Sequence, residues 1–75
     1  MAAVLRNITP AAAAHLRAEH RLVAVRESLR LAEQALERNR GQITEPDWVD
    51  HVARQRGRVA EAERALVGLI VKAAA

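Results

Sequence analysis

The sequence contains no cysteine, phenylalanine or tyrosine, and it has a single tryptophan among its 75 residues. Without cysteine, the chain has no disulfide, no thiolate zinc site and no thiol nucleophile. One aromatic side chain is too few for the stacking platforms with which proteins hold single-stranded nucleic acids. A chain of this length forms one small domain at most, with room for two long helices or three short ones.

The sequence also has no motif that is typical of catalysis, a cofactor or a metal ion. Its one serine is Ser28, and no glycine-rich phosphate loop is present. His15 and His20 are five positions apart and therefore lie on different faces of a helix. His51 follows Asp47 by four positions, which predicts a surface contact between these two side chains. We predict a protein that is not an enzyme and that carries no cofactor and no metal.

No segment is typical of a leader peptide or a membrane span. The longest apolar run covers residues 65–71 and contains a glycine, whereas a spanning helix needs roughly 20 apolar residues. The first eight residues hold too few apolar side chains for the core of a signal peptide. We therefore expect a cytoplasmic protein with no membrane partner.

Two start signals and one stop signal divide the chain. Thr9 followed by Pro10 is typical of an N-cap and a first helical residue. Gly41 suits the left-handed position that ends a helix. The sequence therefore predicts a short N-terminal arm over residues 1–8 and a helical hairpin over 9–75. Within the hairpin we expect a helix over about 10–40, a turn over 41–44 and a second helix over about 45–72.

The start of the second helix carries its own capping signature. Thr44 and Asp47 have the spacing of an acidic capping box, and Ile43 and Trp48 have that of a hydrophobic staple. We interpret Trp48 as a structural plug at the turn and not as a ligand-binding residue. The end of the core away from the turn is expected to be covered by the apolar residues of the arm, which are Val4, Leu5 and Ile8.

Apolar residues recur at alternating spacings of three and four, as in a coiled coil. In a heptad labelled a to g, the a and d positions form a seam that consists of His15, Ala18, Leu22, Val25, Leu29, Ala32 and Leu36, followed by Trp48, Val52, Gln55, Val59, Ala62, Leu66 and Leu69. One antiparallel register pairs every a with a d, in the layers Leu36–Trp48, Ala32–Val52, Leu29–Gln55, Val25–Val59, Leu22–Ala62, Ala18–Leu66 and His15–Leu69. Most layers set a larger residue against a smaller one, which lets the helices approach closely. The sequence therefore predicts an all-α antiparallel hairpin of two long helices.

A second apolar strip, here called the apolar flank, follows the b and e positions. A lone hairpin buries few side chains, while ordering each residue costs about 1–2 kcal/mol of backbone entropy, so we expect another surface to cover this flank. We predict that two copies pair through it into a homodimeric four-helix bundle, with a different protein partner at the same face as the alternative. The flank includes Ala53 and Ala60, and its larger residues, the predicted protein interface, are Leu16, Val23, Val49, Val67 and Ile70.

Basic residues collect on the opposite side, here called the basic flank, which is formed by the c and g positions. It holds Arg17, Arg21, Arg38, Arg54, Arg58 and Lys72 against only Asp47 and Glu61. Arg17 and Arg21 are like-charge neighbours four positions apart, as are Arg54 and Arg58, and an anionic partner would relieve their repulsion. These four arginines are therefore the candidate contacts for an anion or a nucleic acid. A solvated face or an acidic protein partner is the alternative, because the net charge is only +3 and arginine stems commonly cover helix flanks.

The sequence thus favours binding over chemistry. We predict a small protein–protein interaction module, that is, an adaptor, regulator or assembly component, that acts through the apolar flank. The alternative is a dimeric nucleic-acid-binding regulator that uses the basic flank. The high alanine content, and eleven arginines against one lysine, indicate GC-rich coding and hence a bacterium or a phage.

Overall fold

The computed structural model describes residues 8–74, which form two long helices and contain no strand. Helix α1 spans Pro10–Arg38 and helix α2 spans Glu45–Ala74, and the two pack side by side in opposite directions. The predicted all-α helical hairpin is confirmed. Ile8 is half-buried, whereas the packing expected of Val4 and Leu5 falls outside the described residues.

Helix α1 is capped by side chains at both ends. At its start, the Thr9 Oγ1 accepts a hydrogen bond of 3.1 Å from the Ala12 amide. At its end, the Asn39 Nδ2 donates to the Ala35 carbonyl at 2.6 Å. Asparagine side chains compete in this way with the backbone hydrogen bonds that continue a helix. The helix accordingly ends at Arg38, two residues before the expected position 40.

The turn between the helices is closed by polar contacts. Gly41 adopts a φ of 77°, the left-handed conformation expected of it. The Thr44 hydroxyl donates to the Asn39 Oδ1 at 3.1 Å, so it serves the turn and not the expected capping box. The expected staple is wrong as well, because Ile43 is 96% exposed. With the turn held by hydrogen bonds, Ile43 is left in solvent.

The start of α2 is instead packed by two rings. Trp48 is half-buried, and its ring meets that of His51 edge to face, with centroids 5.7 Å apart. The sequence predicted that His51 would contact Asp47, but no hydrogen bond or ion pair joins these two side chains among the described residues. Trp48 therefore acts as the structural residue that was expected, with His51 as its neighbour.

The core of the hairpin is the predicted seam. Within residues 8–74, every buried residue is an a or d residue, and the other seam residues are all half-buried. The centre is a cluster in which Val59 and Leu66 pack against Leu22, Val25 and Ala62, in agreement with the expected register. The buried residues are Leu22, Val25, Ala32, Val52, Gln55 and Ala62.

Gln55 is the one polar residue buried in the described part of the chain. It is 7% exposed, and its Oε1 has no hydrogen-bond partner among residues 8–74. A buried acceptor that is left unpaired costs about 1–3 kcal/mol. The seam therefore contains one position that lowers the stability of the hairpin.

Two ion pairs cross between the helices on the side of the e positions. Arg26 Nη2 lies 3.7 Å from Glu63 Oε1, and Arg56 Nη2 lies 3.5 Å from Glu33 Oε2. The two partners on each helix are seven residues apart, so both pairs belong to one antiparallel register. Their charges alternate, since α1 contributes an arginine to one pair and a glutamate to the other.

Candidate interaction surfaces

All five predicted interface residues are exposed in the hairpin. Their side chains retain between 44% and 66% of their accessible surface, with Leu16 the lowest and Val23 the highest. Neither helix of the same chain covers them. Within residues 8–74, these five residues of the apolar flank are therefore left uncovered.

The flank is apolar at its two ends and charged in its middle. Leu16, Val67 and Ile70 lie beside the last layers of the seam, at the end away from the turn. Val49 lies at the turn end, in the first turns of α2. Between these ends run the two cross-helix ion pairs, which the sequence analysis did not predict.

Other large apolar residues are exposed away from this flank. They include Leu31 and Ile43, at 50% and 96% exposure. Leu31 occupies a c position, so it faces away from the b and e positions of the apolar flank, and Ile43 lies in the turn between the helices. They offer sites for control substitutions.

A shallow groove of about 690 Å³ lies between the helices at the end away from the turn. Its walls are alanines from the first turns of α1, together with His15, Leu69 and Lys72. His15 was predicted to be a packing residue, and it also forms a hydrogen bond of 3.0 Å from its Nε2 to Glu19 Oε1. The groove shows that the last layer of the seam is not closed by the helices themselves.

The arginines divide into two groups by their contacts. Arg26 and Arg56 pair across the helices, while Arg30 and Arg40 pair with glutamates three positions before them. The four predicted anion contacts are all exposed, and none has a carboxylate within 4.0 Å among residues 8–74. They are Arg17, Arg21, Arg54 and Arg58.

Surface pairing also shifts the pKa values of the paired groups. The hydrogen bond from Arg30 lowers the pKa of Glu27, against a smaller opposing effect of desolvation. The hydrogen bond to Glu37 likewise raises the pKa of Arg40. Both pairs are fully solvated, so they contribute little to stability.

Two kinds of site are absent from residues 8–74. No three histidine, aspartate or glutamate side chains converge to hold a metal ion. Neither helix in this part of the chain has a segment that is long and apolar enough to cross a bilayer. The two exposed flanks are the candidate interaction surfaces of the described residues.

Comparison with known proteins gives one match. The family model described as SH3 domain-binding protein 5 matches residues 2–67. This range includes all of α1, the turn and most of α2. No curated protein and no solved structure matches the chain.

Proposed function

The chain belongs to the SH3 domain-binding protein 5 family, and on this premise we propose that it is a non-catalytic module that acts by binding proteins. The observation that carries the proposal is the open apolar flank. An adaptor, a regulator or an assembly component would use the flank in the same way, by covering it with a partner. The bacterial or phage origin stays a prediction from composition, and the cytoplasmic location stays a prediction from the lack of a leader-like or membrane-spanning segment in the sequence.

The family name mentions SH3 domains, and the positions of the prolines in this chain limit the ways in which it could bind an SH3 domain. SH3 domains commonly hold a PxxP segment in an extended polyproline helix. The two prolines of this chain are Pro10 and Pro46, and each lies in the first turn of a helix. An SH3 partner of these 75 residues would therefore contact a helical face.

We propose that a second copy of the chain covers the apolar flank. The hairpin is 12 Å thick in its smallest dimension, which is the diameter of one helix. Stable domains are built from at least two packed layers, and a second hairpin supplies the missing layer as a four-helix bundle.

The charges in the middle of the flank fit a second copy. The two cross-helix ion pairs bring two arginines and two glutamates to this surface. Their charges balance, so two identical flanks meet without a net repulsion from these groups. A two-fold interface requires self-complementarity of this kind.

The proposal is tested by measuring the absolute mass of the chain with light scattering on a sizing column. We expect a mass of twice 8.2 kDa for the natural chain. The double variant Leu16→Glu/Ile70→Glu places charges on the flank and is expected to lose the dimer. Its control is Leu31→Glu/Ile43→Glu, which alters two exposed apolar residues away from the flank and is expected to remain dimeric.

Circular dichroism separates loss of the dimer from loss of the fold. A hairpin that folds only as a dimer would lose helicity in the flank variant and keep it in the control, which supports the proposal. A folded monomer of the natural chain would refute the homodimer and leave a different protein as the partner. Equal masses for both double variants would show that the apolar flank is not the interface.

A second candidate function is favoured by the free arginines of the basic flank. On the opposite side, Glu33 and Glu63 are engaged in cross-helix pairs. The basic-flank residues Arg17, Arg21, Arg54 and Arg58 have no acidic partner among the described residues. This charge segregation supports a nucleic-acid-binding regulator as the alternative function. It uses the side of the hairpin that the dimer leaves open.

A further inference from the structure

Five arginines of the basic flank have no ion pair among residues 8–74, and four of them form a single row although they come from two helices; Arg38, the fifth, lies two helical turns further towards the turn. The register of the hairpin fixes their order. Val25 and Val59 pack in the same cluster, so Arg58 lies level with position 26 of α1. Arg54 lies one helical turn further, level with position 30. The row therefore runs Arg17, Arg21, Arg58, Arg54.

The spacing within the row is nearly regular. With a rise of 1.5 Å per residue, consecutive members follow one another at about 6–8 Å, and the whole row is about 20 Å long. A nucleic acid strand carries one phosphate for about every 3.4 Å of its axis. Each arginine therefore meets about every second phosphate of a strand that lies along the hairpin.

Small residues lie opposite each half of the row. Ala24 and Ser28 occupy the basic flank of α1 opposite Arg54 and Arg58, and α2 has Gly68 opposite the other half. No atom lies within 4 Å of the position that a Cβ on Gly68 would take. A polymer backbone can therefore approach the helices while the longer arginines reach around it.

We infer that this arginine row binds the phosphate backbone of a nucleic acid without sequence preference. A guanidinium group donates two parallel hydrogen bonds to a phosphate, which a lysine does not do. The row includes no group placed to read base edges, and contacts to phosphate alone carry no sequence information. The inference deepens the second function proposed above and does not depend on the dimer.

The surroundings favour a nucleic acid over an acidic protein. A protein interface needs a desolvated core with several apolar or aromatic anchors, whereas the strip beside the row consists of alanine, serine and glycine, with Leu31 as its single large apolar residue at the Arg54 end. A regular row of like charges matches a polymer of regular charge. Glu61 is the one acidic residue near the middle of the row, and it opposes the binding of an anion.

The inference is tested by fluorescence anisotropy with a labelled 20-mer, both single-stranded and duplex, over a range of salt concentrations. We expect a Kd on the order of 10⁻⁶ to 10⁻⁴ M at physiological salt, as for non-specific binding. Four phosphate contacts predict that log K falls against log salt with a slope of about −3.6 for duplex and about −2.8 for single strands.

Matched variants separate the row from total charge. Arg54→Gln/Arg58→Gln is expected to halve the salt slope, because two of four contacts are lost. Arg40→Gln/Arg64→Gln lowers the net charge equally but lies outside the row, and it is expected to keep the slope. Glu61→Gln is expected to tighten binding about twofold, since one opposing charge at about 8 Å in water is removed.

Several results would overturn the inference. Equal loss of slope in both double variants would show a response to total charge alone. Displacement of the 20-mer by polyglutamate at equal charge concentration would assign the row to an acidic protein. If the chain is helical by circular dichroism and does not bind the 20-mer at low salt, the arginine row is a solvated surface. A monomeric chain that binds through the row would contradict the dimer and leave this inference intact.

Discussion

Gln55 offers the sharpest test of the packing. Leucine has nearly the same volume as glutamine and carries no polar atom, so Gln55→Leu removes the unpaired Oε1 without opening a cavity. The unpaired acceptor costs about 1–3 kcal/mol, and the apolar replacement recovers that amount. For a domain of 60–100 residues, each kcal/mol raises the Tm by about 4–8 °C. We therefore expect the Tm to rise by about 4–24 °C.

The assay is thermal unfolding followed by circular dichroism, with both chains at the same concentration because the Tm of an oligomer depends on concentration. Gln34→Leu is the matched control, since Gln34 is exposed on α1 and the same change there is expected to alter stability by less than about 0.5 kcal/mol. A Gln55→Leu variant no more stable than the natural chain would refute the reasoning, because it would mean that the Oε1 is satisfied by a bound group.

Two further predictions concern the backbone and the surface. Gly57→Ala is expected to stabilise the hairpin by about 0.5–1 kcal/mol in urea unfolding, because the added Cβ meets no neighbouring residue within 4 Å and alanine favours the helix. Gly41→Ala has equal space but a φ of 77°, and it is expected to destabilise the hairpin by about 1–2 kcal/mol. Equal effects of the two substitutions would contradict the role of the left-handed turn. The Arg30 hydrogen bond lowers the pKa of Glu27, so its stabilising effect is present above the usual carboxyl pKa and is lost as the pH falls through the lower folded value. Because the pair is exposed, Glu27→Gln is expected to flatten this part of the acid unfolding curve only slightly, and a large change in the curve would contradict the small contribution of this pair.

The fold was predictable because burial follows a period that the sequence displays. Each buried residue, such as Leu22 or Ala62, recurs at the heptad spacing of the seam, and the position of the turn selects the antiparallel register that pairs them. The same period places the predicted interface residues and the four predicted anion contacts on opposite flanks. These predictions use only the geometry of a regular helix.

The parts that the sequence analysis missed depend on competition between side chains. Ile43 and Trp48 have the spacing of a staple, but the hydrogen bond from Thr44 to Asn39 shapes the turn and leaves Ile43 exposed. Ion pairs also depend on competition, because one long arginine side chain can reach several carboxylates. Arg30 takes Glu27 and leaves Glu33 to the other helix, a choice that the heptad position alone does not make.

The alternating signs of the two cross-helix ion pairs protect the alignment of the helices. If α2 slid along α1 by one heptad in one direction, Arg26 would face Arg56; in the other direction, Glu33 would face Glu63. Most of the seam would tolerate either shift, because valines, leucines and alanines recur at equivalent positions. Like charges would meet in either shifted register, so the four charges favour the native alignment over the misaligned ones.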